Sequence, residues 1–225
     1  MNDVWLPRHT LIVGAGSGLG TRVATLAADA GSHLTLVARS QSTLDAAVTQ
    51  VRRNGAEVPV RTLLADAADP ESLSSILSAY ADNAIPTVDC ALFNVSVWVP
   101  GGLEADLSAV SAGLDAGSVS ALAMAQAVVP MMEQLPRAAL AFTGGGSADS
   151  PMTASLGLGM QKAAMRNLAY GLSMELRDTS VRVKTLTIRG TIAEGTPFAP
   201  DAIASALWNW ARDDSATVER DFTGS

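Results

Sequence analysis

Gly14, Gly18 and Gly20 stand in the run GAGSGLG, directly after the apolar triplet 11–13 and directly before an Ala/Leu-periodic segment. Glycine at such a strand-to-helix turn permits positive φ, close approach of backbone amides to a phosphate, and tight packing of helix on sheet. Ser17, Gly18, Leu19 and Gly20 would open the helix, where N–H groups without an intrahelical partner and the positive dipole end favour an anion. The chemistry these residues suit is the holding of a dinucleotide by its pyrophosphate. Taken alone, a glycine run also serves as a tight turn that binds nothing. The flanking strand and helix, and the place near the N-terminus, favour the dinucleotide.

A second group lies at the end of the next apolar run, LTLVARS, where Arg39 and Ser40 form the tip and no carboxylate is present. At this place an acid accepts from a ribose 2′-OH, whereas an arginine accommodates a 2′-phosphate. NADP(H) is therefore expected in preference to NAD(H), the other reading being a solvated loop arginine. His9 and His33 fall before the first strand and at the start of the second, at the edge opposite the glycine loop. No cluster of His, Cys, Asp and Glu has metal-ligand spacing, so no metal is expected. Cys90, the single cysteine, sits in the apolar stretch VDCALF and reads as a small core residue.

The elements that must position these groups alternate as strand and helix, the pattern of βαβ units and a parallel sheet. Strands are predicted at 10–13, 34–38, 58–64, 88–93, 139–143 and 181–188. Helices are predicted at 17–30, closed by Gly31, and at 42–54, closed by Asn54-Gly55. A third starts at Asp69-Pro70-Glu71 and ends near Tyr80. Two long helices at 108–133 and 153–177 and a last one at 200–212 complete the set, with a short edge strand at 215–222. The fold class expected is α/β, a Rossmann-type doubly wound parallel sheet, in a single domain over 1–225.

Bulk composition agrees. The 225 residues are 48% hydrophobic and only 16% charged, as a sheet buried on both faces requires. A net charge of −7 and a sequence pI near 4.7 lack the basic footprint that nucleic acid demands, so none is expected as a partner. The first residues carry no basic region followed by a cleavage site. No uninterrupted apolar run reaches the roughly 20 residues of a membrane span. The location expected is cytoplasmic, with no membrane partner.

The glycines are spaced GxxxGxG rather than GxGxxG, and in this the chain resembles the short-chain dehydrogenase/reductase superfamily over nearly its whole length. LLADAADP (63–70) resembles the family's Asp-containing segment, which implies that Asp66 and the Ala67 backbone meet the adenine. ALFNVS (91–96) occupies the place of the family's LVNNAG, with Asn94 at its second Asn. Phe93 and Ser96 depart from that pattern. QAVVPMM (126–132) resembles the end of the family's interface helix, and KAAMRNLAYGLSMEL (162–176) the helix of its catalytic lysine. Arg189-Gly190 stands where the family has Pro-Gly, and Ile192 would lie near the nicotinamide carboxamide. The loop after it is short, which implies a reduced substrate lid.

The resemblance implies hydride transfer assisted by a Tyr acid, a Lys that lowers its pKa and binds the ribose, a Ser and an Asn. Lys162 matches the Lys. The Tyr position holds Leu158, the Ser position Gly145 and the Asn position Gly117, so an atypical member is expected. Ser155, two turns before Lys162 on the same helical face, and Thr143 and Ser147, around the glycines after the fifth strand, are the candidate replacement hydroxyls. Each also reads as a cap or loop hydroxyl. Tyr170, farther along the helix, reads as a packing residue.

Two functions follow from these residues. One is an NADP(H)-dependent oxidoreductase acting on a small carbonyl or alcohol substrate, its proton supplied by water or an unassigned group. The other is a catalytically degenerate NADP(H)-binding sensor or scaffold subunit; a repurposed lyase or isomerase is a weaker third. The Ala- and Met-rich faces of the two long helices, together with the resemblance, imply a homo-oligomer, a dimer or tetramer, formed through 108–133 and 153–177.

Overall fold

Seven strands pair in parallel in one sheet of order β3-β2-β1-β4-β5-β6-β7. They are β1 (His9–Val13), β2 (His33–Ala38), β3 (Val60–Leu64), β4 (Cys90–Phe93), β5 (Ala138–Gly145), β6 (Val181–Ile188) and β7 (Glu219–Phe222). The helices are α1 (Leu19–Asp29), α2 (Gln41–Arg53), α3 (Pro70–Ala81), α4 (Leu107–Leu114), α5 (Ser120–Met132), α6 (Leu156–Glu175) and α7 (Pro200–Ala211). This computed structural model describes residues 5–53, 57–81, 83, 84 and 86–224; the expected Asn54-Gly55 helix end lies outside them.

Both faces of the central strands are covered, which explains why β1, β4 and β5 are buried almost throughout, whereas the edge strands β3 and β7 carry exposed polar residues. Leu11 and Val13 of β1 point into a core shared with α3, α5 and α6. Ile12, one residue between them, points into a second core shared with α1, α2 and α7. The result is a single Rossmann-type α/β domain. Strand order reverses at β1 and β4, and the loops leaving their C-terminal ends diverge to open a crevice there.

Several boundaries differ from the sequence expectation for physical reasons. The predicted helix 108–133 is one helical stretch, but its middle, Asp115–Val119, winds as a π-helical segment around Gly117. The predicted helix 153–177 begins only at Leu156, because Ser155 is its N-cap and accepts from the Leu158 N–H at 3.3 Å. β5 runs two residues past Thr143, with Gly144 and Gly145 paired to Thr187 and Ile188. The edge strand at the C-terminal end is present as Glu219–Phe222, parallel to β6. By length and hydropathy alone, Leu107–Met132 would pass for a membrane span, with a mean hydropathy of 1.3 over its best window. In this fold it packs against α3 and α6, and 56% of that window is buried.

Candidate functional site

The glycine loop leaves β1 and turns into α1 with the shape its sequence requires. Gly14 has φ +91°, and a Cβ there would lie 2.7 Å from the Asn94 carbonyl oxygen. A Cβ on Gly20 would fall 2.2 Å from the Gly14 carbonyl, so α1 packs on the loop closer than any other residue allows. Gly16 and Gly18 are different: a Cβ on either meets no atom within 4 Å. Gly18 caps α1 without a side-chain hydrogen bond, so among the described residues the Leu19 and Gly20 N–H groups have no partner, while the Thr21 N–H donates to the Gly16 carbonyl (3.2 Å). The loop is held from behind by Gly14 and Ala15 N–H donation to the Val37 carbonyl (3.0 and 3.1 Å) and by Thr21 Oγ1 donation to the Gly16 carbonyl (2.6 Å).

A cleft of about 1010 Å³ runs from this loop along the end of β2 and past β4. Gly14, Ser17, Gly18, Leu19, Arg39, Asp66, Ala67 and Asn94 all line it. Arg39 is exposed at its rim, and among the described residues its guanidinium has no hydrogen-bonding or ionic partner. Ser40 instead caps α2, within 2.7 Å of Thr43 Oγ1 and 3.3 Å from the Thr43 N–H. One carboxylate oxygen of Asp66 accepts from the Ala68 N–H (2.9 Å), while the Ala67 carbonyl accepts from Ser120 Oγ (2.6 Å).

Asn94 joins the cleft to the ends of the central strands. Its amide Nδ2 donates to the Gly14 carbonyl (3.1 Å), and its Oδ1 accepts from Thr143 Oγ1 (2.9 Å). The Thr143 carbonyl in turn accepts from Lys162 Nζ at 2.7 Å. Lys162 is 8% exposed, and burial lowers its pKa to about 8. Its aliphatic stem passes over Gly145, where a Cβ would touch it at 3.4 Å. Lys162, Thr143 and Asn94 thus form one connected set across β4, β5 and α6.

The other expected site residues lie outside that set. Ser155 is fully buried, and its hydroxyl donates to the Val99 carbonyl (2.5 Å) while capping α6, so both its roles are structural. Ser147 sits in the short 3-10 turn after β5, and Leu158 is half-buried on the first turn of α6. Ile192 is exposed in the loop between β6 and α7 and does not line the cleft.

Three features escaped the sequence reading. Arg22 of α1 donates to the Ser17 and Gly18 carbonyls and pairs with Glu194 (2.6 Å) and Asp201 (2.7 Å), tying the glycine loop to the loop after β6. Arg189 grips both carboxylate oxygens of Asp149 and pairs with Asp221 at 2.9 Å, which holds the turn after β5 against the end of β6. Gln161, fully buried beside Lys162, exchanges two hydrogen bonds with the backbone of Val97. Long-range pairs of this kind leave no local pattern in a sequence. Gly113 and Gly117, four residues apart, both face the Gln161 carboxamide.

Residues 8–198 match the short chain dehydrogenase family. The chain belongs to that family. An uncharacterized oxidoreductase of Mycobacterium tuberculosis (strain CDC 1551 / Oshkosh), MT0954, is 33% identical over 138 residues, 61% of this chain and 49% of that protein. This short chain dehydrogenase thus aligns with about half the length of that relative. L-sorbose reductase from Gluconobacter frateurii, solved with NADPH and L-sorbose, superposes with a TM-score of 0.86 at 19% identity, covering 98% of this chain and 97% of that one. A short chain oxidoreductase from Pseudomonas aeruginosa PAO1 with an atypical catalytic center, solved with NADPH, gives a TM-score of 0.85 at 21% identity, with 96% of each chain covered. At these identities the two structures establish the fold.

Proposed function

We propose that this short chain dehydrogenase is an NADP(H)-dependent oxidoreductase acting on a small carbonyl or alcohol substrate in the cytoplasm. One observation carries the reading: a glycine cradle whose Gly16 and Gly18 leave open space for a pyrophosphate, with the unpaired Arg39 at the far rim. The helix α1 N-terminus would take the pyrophosphate, Arg39 the 2′-phosphate, and Asp66 and Ala67 the adenine. The bound NADPH of two similar structures supports the same nucleotide here. When bound, NADP(H) supplies or accepts the hydride. Lys162, anchored on the Thr143 carbonyl, would hold the nicotinamide ribose and carry the proton that the substrate oxygen needs, directly or through a water. Its pKa of about 8 suits an acid working near neutrality.

A second reading has its own observation. Leu158, Gly145 and Gly117 stand where the resemblance places Tyr, Ser and Asn, and Ser155 is spent on its cap. A sensor or scaffold subunit that binds NADP(H) without turnover fits that set. Titration with NADPH and NADH tests what both readings share; dissociation constants weaker than about 1 mM for both, only ~4 kcal/mol of affinity, would sink them. A screen of NADPH oxidation over aldehydes, ketones and quinones separates the two. The exposed Leu107, Val119 and Leu122 on α4–α5 and Met160 and Met174 on α6 support a homo-oligomer through those helices, which sedimentation would measure.

A further inference from the structure

The wall of the cleft beyond Asn94 is a stretch of chain outside helices and strands, 95–101, and Val97, Val99 and Gly101 of it are tied to α6 or to the residues just before it. The Val97 N–H donates to Gln161 Oε1 (3.0 Å) and its carbonyl accepts from Gln161 Nε2 (2.8 Å). The Val99 carbonyl accepts from Ser155 Oγ (2.5 Å). The Gly101 N–H donates to the Ala154 carbonyl (2.9 Å), and its carbonyl accepts from the Leu156 N–H (3.3 Å). All of residues 95–100 line the cleft; Ser96, Trp98 and Pro100 are the exposed ones, while Val97 and Val99 carry the ties to Gln161 and Ser155. Trp98 is 56% exposed, unusual for a tryptophan unless it meets a ligand or partner.

Of these ties the Gln161 carboxamide is the one the rest of the fold makes room for. A Cβ on Gly113 would lie 2.7 Å from Gln161 Nε2, and one on Gly117 would lie 2.5 Å from Gln161 Oε1. Both glycines are buried, one on α4 and one in the π-helical segment, where Ser118 Oγ also donates to the Gln161 carbonyl (3.1 Å). An amide enclosed on all sides must be hydrogen-bonded or it costs stability, and here both ends are satisfied by one residue of the cleft wall. The next residue along α6 is Lys162.

We propose that Gln161 is a positioning residue: its carboxamide fixes the 95–101 strap so that Trp98 forms the wall of the nucleotide and substrate cleft. The proposal rests on the cofactor reading above, and its test is built to fail separately from it. Four proteins are needed: wild type, Gln161→Met, which fills the volume without hydrogen bonds, Gln161→Ala, and the double variant Gln161→Ala/Gly117→Asn. In the last, a carboxamide returns to the same space from the opposite helix. Each is also made with Trp98→Phe, so that subtraction isolates the Trp98 emission and its quenching by NADPH.

Gln161→Met and Gln161→Ala should weaken NADPH binding by about threefold to tenfold and remove at least half of the Trp98-dependent quenching, since small misplacements of a site wall carry such effects. The double variant should recover both, which a general loss of packing would not. Amide exchange of the 96–100 segment should quicken in the single variants and slow again in the double. If Gln161→Met stays folded with wild-type NADPH affinity, Trp98 quenching and exchange, the proposal is overturned. If the wild type itself fails to bind NADPH, the cofactor reading falls, while exchange at 96–100 and the Trp98 emission still decide whether Gln161 holds the strap.

Discussion

Arg39→Asp should reverse the nucleotide preference, and its size can be worked from the rim of the cleft. The guanidinium is exposed and has no partner among the described residues, so its hydrogen bonds to a 2′-phosphate belong at the low end of the ~1.5–3 kcal/mol range for charged groups. The new carboxylate adds repulsion: two charges on the phosphate at about 5 Å, in a water-like dielectric, give ~1.7 kcal/mol. The sum is ~3 kcal/mol against NADPH, or about a hundredfold in Kd at 1.4 kcal/mol per decade. NADH lacks the phosphate, and an acid here can accept from its 2′-OH, worth ~1 kcal/mol in its favour. The ratio of the two dissociation constants should therefore move by roughly three orders of magnitude. The neutral Arg39→Gln should show only the first part, about tenfold. Titrating nucleotide fluorescence in both forms measures this directly, and in wild type added salt should weaken NADPH more than NADH. A change in the NADPH dissociation constant below about threefold in Arg39→Asp would refute the assignment of the 2′-phosphate to this corner.

Lys162 works as an acid only while protonated, so carbonyl reduction should hold up to about pH 8 and fall about tenfold per pH unit above it; Lys162→Met should lose at least ~10²-fold in turnover and flatten that profile. The two kinds of glycine should separate in their variants: Gly20→Ala, driven into the Gly14 carbonyl, should cost ~1–3 kcal/mol in urea unfolding, whereas Gly16→Ala should fold normally and lose nucleotide affinity. Burial lowers the His9 pKa from 6.5 against the raising effect of the Pro86 carbonyl, so the unfolded chain takes up the proton first. That contribution to stability is complete above pH 6.5 and lost as pH falls through the folded pKa, and His9→Gln should abolish this slope in urea midpoints. Asp89, raised from 3.8 by burial, has the opposite sign: its contribution is complete below pH 3.8 and lost as pH rises through the folded pKa, so the His9 slope is read as the difference between wild type and His9→Gln.

The parts of this molecule that a linear reading recovers are those whose physics is local. Strand and helix alternate because apolar period and turn residues say so, and the glycine loop is legible because Gly14 and Gly20 meet backbone within the same βα unit or the adjacent strand end, while Gly18 stands open at the helix start. β5 was read two residues short because Gly144 and Gly145 have no β propensity of their own and are held by pairing to β6. Helix α6 was started early because Ser155 looks like a helical residue until its hydroxyl is seen on Val99. The π-helical turn at Gly117 and the buried Gln161 were invisible for one shared reason: each is explained only by the other, across 44 residues of chain. A polar residue beside Lys162 reads as solvent-facing until the two glycines opposite reveal where its amide goes.

That pairing bears on how the two halves of the site relate. The nucleotide half is built on loops leaving β1, β2 and β3, and its features are glycines, an exposed arginine and helix dipole. The proton half is built on β5 and α6, around Lys162. Asn94 is hydrogen-bonded to both, through the Gly14 carbonyl and Thr143 Oγ1, and so holds their spacing whatever the proton half does. Gly145 and Gly117 leave no buried polar side chain to satisfy, while the ammonium of Lys162 keeps the Thr143 carbonyl as its partner. The set from Gly14 through Asn94 and Thr143 to Lys162 is thus linked by hydrogen bonds, so under the proposed function the geometry of nucleotide binding does not need the Tyr, Ser and Asn that the resemblance implies. On the oxidoreductase reading proposed above, turnover depends on one buried amine, and the pH profile of Lys162 is where that dependence becomes measurable.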